Sequence, residues 1–181
     1  MILENLVTPA LETLVEQIQN NQLLLIHPRS RVRLLLLAGL LEFPPCPLYY
    51  HQLRVTDTSL DSFLTGLVYG LAEQTPGFGY HLTSVLRETP GDLGAVAAAV
   101  ARDLAAIAQD DYLLILDDFD YCDASPGFFP FFERLFESLP VSCHLLISSR
   151  TIPPLPWIAL IARRRATIIR GGLPSNDTLS L

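Results

Sequence analysis

The sequence predicts an α/β fold: a five-stranded parallel sheet with helices on both faces, in three layers. Two observations carry this. Five short, largely apolar runs, LLLI, LYYHQL, YLLILDD, CHLLISSR and ATIIRG, recur along the chain, separated by stretches of helical periodicity, and LLLI is apolar throughout. Strands apolar at every position, not at alternate ones, are those buried on both faces. Strands alternating with helices imply a parallel sheet covered by helices. A chain of 181 residues, half of them apolar, is long enough for one domain with a real core.

The elements follow in order. Residues 9–21, PALETLVEQIQNN, place Leu11, Leu14, Val15 and Ile18 at helical spacing. LLLI at 23–26 is the first strand. A helix over about 32–42 is stopped by FPPCP. LYYHQL at 48–53 is the second strand, and Ser59 is an N-cap for the helix SLDSFLTGLVYGLAEQ. TPGFGYHLTSVLRETPGDL reads as irregular, and the Ala-rich GAVAAAVARDLAAIAQ as a helix. YLLILDD at 112–118 is the third strand. GFFPFFERLFESL is helical after Pro130, CHLLISSR at 143–150 is the fourth strand, LPWIALIARRR a short helix and ATIIRG the fifth strand. Residues 1–170 are expected to form a single domain, and 171–181 a polar tail or the start of a downstream segment.

Composition narrows the function. The net charge of −7 argues against a general nucleic-acid surface. The apolar runs fall far short of the ~20 residues of a spanning helix. MILENLVTP lacks the pattern of a signal peptide, so the cytoplasm is the expected location. Cys46, Cys122 and Cys143 have no CxxC spacing and read as reduced thiols. All twelve basic residues are arginine; the chain has no lysine.

Chemistry concentrates where the apolar runs end. Asp117 and Asp118 close the third run, and ligands of open α/β sheets bind at the strands' carboxyl ends. In a P-loop NTPase the first such acid holds magnesium and the next polarises the attacking water; equally, Asp starts turns well. Arg150 closes the fourth run after two serines, either as a sensor of phosphate or as a loop arginine paired to a surface acid. The segment HPRSRVRLL at 27–35 lies between the first strand and a helix, where a phosphate-binding loop belongs.

The order loop, acidic pair, polar-Arg end matches the ASCE branch of P-loop NTPases. LLILDDFDYCD, LPVSCHLLISSRTIPPLP and YYHQLRVTDTSLDSFLTGLVYGL also resemble the STAND ATPases of the MalT-like branch, which are regulatory ATPases joined to sensor repeats and often to a DNA-binding domain. The resemblance covers about residues 20–170 and implies the strand order 5-1-4-3-2. It lays a Walker A loop of the type SPAGYGKTT over residues 27–35. Pro28 matches, and Arg29 and Arg31 fill variable positions. Ser30 and Val32 replace glycines, Arg33 the lysine, and Leu34 the magnesium-binding hydroxyl.

Each departure has a physical cost. Side chains obstruct the backbone conformations and close phosphate approach that the glycines allow, and β-branched Val32 fares worst. A guanidinium fork is not the compact ammonium that reaches between phosphates. Leu34 offers no oxygen. These losses point to a decommissioned site in a regulatory or interaction module that needs no cofactor, with no catalytic residue assigned. Its partner would be a protein, a neighbouring domain or another copy of itself, with neither nucleic acid nor membrane contacted directly. A second reading is a switch that binds ATP or ADP with magnesium through a non-standard loop, using Asp117 (as the metal ligand), Asp118 and Arg150. A third is an ATPase with a rearranged loop, in which Asp118 would be catalytic.

Arg29, Arg31 and Arg33 read as a weak anion site at a helix N-terminus, or as a solvated loop with Arg33 paired to Asp117. A buried carboxylate pair is costly unless neutralised, so Arg31 or Arg33 is expected to reach Asp117 or Asp118. RRR at 163–165 suits a helix end, FFPFF at 128–132 suits the core more than a partner patch, and the four histidines show no ligand spacing.

The combined variant Ser30→Gly, Val32→Gly, Arg33→Lys and Leu34→Thr rebuilds the GxGKT pattern. It is expected to gain magnesium-dependent ATP binding over the wild type, read by equilibrium dialysis and by a ligand-dependent rise in Tm. A folded variant that binds no better shows that the loss extends beyond this loop.

Overall fold

A computed structural model describes residues 2–27, 31–89, 91–108, 110–122 and 127–170; for 2–7, 31, 32 and 170 it describes the backbone course only. The element order is α1 (Ile2–Asn20), β1 (Leu23–His27), α2 (Arg31–Glu42), β2 (Leu48–Gln52), α3 (Leu60–Ala72), α4 (Tyr80–Glu88), α5 (Leu93–Ala105), β3 (Tyr112–Asp117), a short 3-10 turn (Phe119–Cys122), α6 (Phe128–Ser138), β4 (Cys143–Ser148), α7 (Trp157–Ala162) and β5 (Ala166–Arg170). The five strands form one sheet in the order β2-β3-β4-β1-β5. Every neighbouring pair is parallel. This is the order 5-1-4-3-2 read from the other edge, with β3 and β4 in the interior.

The uninterrupted apolar character of the strands has a direct cause. Alternate residues of one strand face opposite sides of the sheet. Leu23 and Leu25, Leu114 and Leu116, and Leu145 and Ile147 enter the larger core with α3, α5, α6 and α7. Leu24 and Ile26, Leu113 and Ile115, and Leu146 enter the second core with Leu14 and Ile18 of α1 and Leu36, Leu37 and Leu40 of α2. Both faces are thus covered. The FFPFF segment is core: Phe128, Phe131 and Phe132 are fully buried, and Phe63 of α3 stacks edge-on against Phe128 at 5.2 Å.

Several boundaries differ from the sequence expectation. α1 begins at Ile2, with Pro9 inside it, because a proline removes one helical hydrogen bond without obliging the helix to end. α6 begins at Phe128, since Pro130 falls in the first turn, where no N–H partner is required. The largest difference is α4, in the stretch expected to be irregular. Its N-cap is Gly79 at φ 89°, with no capping side chain of its own. The cap comes from a distance: the buried carboxylate of Asp103 on α5 accepts the N–H of His81 and of Leu82, each at 3.0 Å. This satisfies two orphan donors and sets a negative charge at the positive end of the helix dipole.

The remaining polar groups of the interior are placed by close backbone approach. His51 lies beneath α3, where a Cβ on Gly70 would come within 3.1 Å of its Nδ1. Burial lowers the His51 pKa from its usual value, against the raising effect of Asp57 and alongside the lowering effect of Arg54. None of the three cysteines forms a disulfide. Burial raises the Cys143 thiol to about 12, against a lowering hydrogen bond with Tyr112. No helix among the described residues is long and apolar enough to cross a membrane. Residues 171–181, expected to be a polar tail, lie outside the described residues.

Replacing Asp103 with alanine leaves the Leu82 N–H buried without its acceptor, and a cost of about 1–3 kcal/mol is expected. Urea denaturation checks this, and amide exchange should show the added opening concentrated in α4.

Candidate functional site: a closed polar cluster at the carboxyl edge of the sheet

The carboxyl ends of β2, β3 and β4 bring polar residues together by the same period of two that builds the cores. Leu113 and Ile115 face α1 and α2, so Asp117 faces that way too. Leu146 does likewise, and so places Ser148 there. Leu48 and Tyr50 lead in step to Gln52, which pairs in register with Asp117. The apolar layer against α2 therefore ends in a polar one, made of Tyr50, Gln52, Asp117 and Ser148.

Arg33, in the first turn of α2, closes this layer. It is fully buried, an exceptional position for an arginine. Its Nη1 donates to Asp117 Oδ1 at 3.2 Å and its Nη2 lies 3.6 Å from Asp118 Oδ1. Nη1 also donates to the Ser148 hydroxyl. Ser148 in turn donates to Asp117 Oδ1 at 2.6 Å. The Asp118 N–H reaches the same oxygen at 2.9 Å, and the Tyr50 hydroxyl donates to Asp117 Oδ2 at 2.9 Å. Gln52 Nε2 donates to Asp118 Oδ2 at 3.0 Å. Burial raises the Tyr50 pKa, and the charge and hydrogen bond of Asp117 raise it further. The phenol therefore stays a neutral donor throughout the physiological range.

Asp118 sits at φ 54°, the left-handed region that Asp tolerates better than most residues. The chain there leaves the strand and enters the 3-10 turn, with the Tyr121 N–H donating to the Asp118 carbonyl at 3.1 Å. Arg150 does not join the cluster. Its backbone N–H donates to Asp120 Oδ1 at 3.0 Å and its guanidinium to Asp120 Oδ2, while its Cζ lies 5.2 Å from the centre of the Tyr121 ring. Burial would raise the Asp120 pKa, but the hydrogen bonds from Arg150 overcome it and the net shift is downward. Arg150 thus pairs with Asp120 in this structure, and Ser148 is the β4 residue bonded to the acidic pair. Leu34 faces solvent, one residue round the helix from Arg33. Pro28, Arg29 and Ser30 lie outside the described residues, as do the side chains of Arg31 and Val32.

A hard cation needs carboxylate lone pairs free to coordinate it. Here Asp117 Oδ1 receives Arg33, Ser148 and the Asp118 N–H, and Oδ2 receives the Tyr50 hydroxyl, so a magnesium ion at Oδ1 would have to displace one of these donors. No sequence signal marked Tyr50 or Gln52, which follow once the strand register is known; Ser148 is the first of the two serines that precede Arg150.

The family model of nephrocystin 3, N-terminal, matches residues 44–150, more than half of the chain. The chain belongs to this family. The matched span holds Tyr50, Gln52, Asp117, Asp118, Ser148 and Arg150. Two solved structures share the fold. One is a Walker-type ATPase of Pyrococcus abyssi, at 11% identity and a TM-score of 0.52, aligned over 88% of this chain and 52% of that one. The other is a chain from the structure of Drosophila ORC bound to DNA, at 16% identity and a TM-score of 0.51, aligned over 96% of this chain and 98% of that one. The chain therefore spans about half the length of the Pyrococcus abyssi ATPase. No curated protein matches it by sequence. At these identities the likeness shows a fold, and the fold is that of the P-loop NTPases, of the ASCE type with its five-stranded parallel sheet.

Replacing Arg33 with methionine leaves two buried carboxylates without their cation, and a loss of about 3–5 kcal/mol in unfolding free energy is expected. Adding Asp117→Asn should recover part of it. A single-variant loss near zero in urea titration would mean that the cluster is solvated.

Proposed function

We propose that this chain is a degenerate NTPase-fold regulatory module, from a cytoplasmic STAND-type signalling or transcription regulator, that works by binding and does not hydrolyse ATP. The observation that supports this most is the engagement of both oxygens of Asp117 by donors from within the chain. The acid that would hold magnesium is engaged by Arg33, Ser148, Tyr50 and a backbone N–H. Arg33 thus supplies internally the positive charge that lysine and magnesium bring in an active NTPase. The MalT-like wording of β3 and β4 supports the STAND assignment, and the family match and P-loop fold are compatible with it.

The partner in this reading is a protein: a neighbouring domain, another chain or a second copy. The Drosophila assembly of similar fold is bound to DNA, but the net charge of −7 disfavours direct contact of this chain with a phosphate backbone. Membrane contact is not part of the proposal. A second reading, an ATP or ADP switch with a non-standard loop, is favoured by the likeness in fold to a Walker-type ATPase. It requires Arg33 to withdraw from the acidic pair when nucleotide and magnesium arrive.

Equilibrium dialysis with labelled ATP, with and without magnesium, separates the two. No saturable binding is expected, and phosphate release should equal that of buffer. Magnesium-dependent release that disappears in Asp118→Asn would overturn the proposal.

A further inference from the structure

The inner face of α2 is spent on the second core and on the arginine cluster, through Arg33, Leu36, Leu37 and Leu40. Its outer face is apolar too. Positions 31, 34, 35, 38, 41 and 42 follow the spacing i, i+3, i+4, i+7, i+10, i+11 and make one stripe along three turns. Leu34 is 48% exposed, Leu35 38% and Leu41 47%, with Ala38 exposed between them. Just beyond the helix, Phe43 is 69% exposed and is followed by exposed Pro44 and Pro45. A helix apolar on all sides belongs in an interior, and among the described residues nothing covers the outer half.

We infer that the outer face of α2 is an isologous interface with the α2 of a second copy of this chain, the two helices running antiparallel. The order of charges along the stripe selects this occupant. Arg31 stands at its amino end, Glu42 at its carboxyl end, and no charge lies between them. Antiparallel pairing brings the basic end of each helix to the acidic end of the other, twice by symmetry; parallel pairing sets like against like. The helix dipoles favour the same choice, since the positive end of each meets the negative end of its mate. Ala38 falls near the two-fold axis, where a small residue lets the helix backbones approach. Leu35 of one copy then faces Leu41 of the other. A two-fold pairing of identical patches closes on itself and stops at the dimer.

This deepens the proposed binding role and rests on it, but its test is separate. ATP binding by the wild type would overturn the pseudo-ATPase reading and leave the dimer standing; a monomer would overturn the dimer alone. Sedimentation equilibrium of the 181-residue chain over a concentration series is expected to show a reversible monomer–dimer equilibrium. Leu41→Glu and Leu35→Glu, both on the exposed face, are each expected to weaken it by roughly tenfold or more, about 1.4 kcal/mol, with the circular dichroism spectrum of the folded chain unchanged. Glu42→Arg should weaken it as well, and the double variant Arg31→Glu/Glu42→Arg should restore it. A wild type that is monomeric throughout overturns the inference, as does a dimer indifferent to Leu41→Glu and Leu35→Glu. A double variant no better than Glu42→Arg overturns the antiparallel register. If one leucine variant fails to fold, the other and the charge pair still decide.

Discussion

Two carboxylates at the buried end of an interior strand need a cation, and this chain supplies it from Arg33. Much of the carboxyl edge follows from that pairing. The guanidinium ties the first turn of α2 to β3, and through Ser148 to β4. From β2, Tyr50 donates to Asp117 and Gln52 to Asp118. Four elements are thereby joined across the sheet edge that, in open α/β folds, receives a ligand. A planar fork suits this task better than an ammonium, because its two ends address two acids in fixed geometry. Arg33 thus answers both acids from the first turn of α2.

The cluster is buried because the sheet around it is. Each interior strand sends alternate residues into two separate cores, and the polar residues appear only where the strands end. The cost of enclosing them is offset by their connectivity: a polar network is tolerable in an interior when its members are satisfied. Arg150 shows the contrast. It lies outside that layer, at the surface, where its bonds to Asp120 and its stacking on Tyr121 fasten the 3-10 turn to the end of β4.

The sequence by itself determined the sheet. Five short apolar runs, separated by helical stretches, are enough to predict parallel strands covered by helices, and burial on two faces leaves its mark along the interior strands β1, β3 and β4. The resemblance in β3 and β4 gave their order. The need for an arginine at the acidic pair was legible in the same way, and Arg33 meets it. Glycine, lysine and hydroxyl have chemical roles that valine, arginine and leucine do not fill, and a buried charge demands a counter-charge whatever the fold.

Tertiary structure alone decided which partners meet. That Arg33 and not Arg150 reaches the acids depends on α2 lying against the second core, which places Arg33 inward and Leu34 outward. Tyr50, Gln52 and Ser148 join the site only through strand register, and register is a relation between segments far apart in the chain. Helix α4 is the clearest case. Its glycine-rich approach carries the local signature of a loop, and the carboxylate that caps it, Asp103, stands more than twenty residues later. A local pattern records what each segment prefers alone; a capping carboxylate or an ion-pair partner supplied from another element leaves no trace in it.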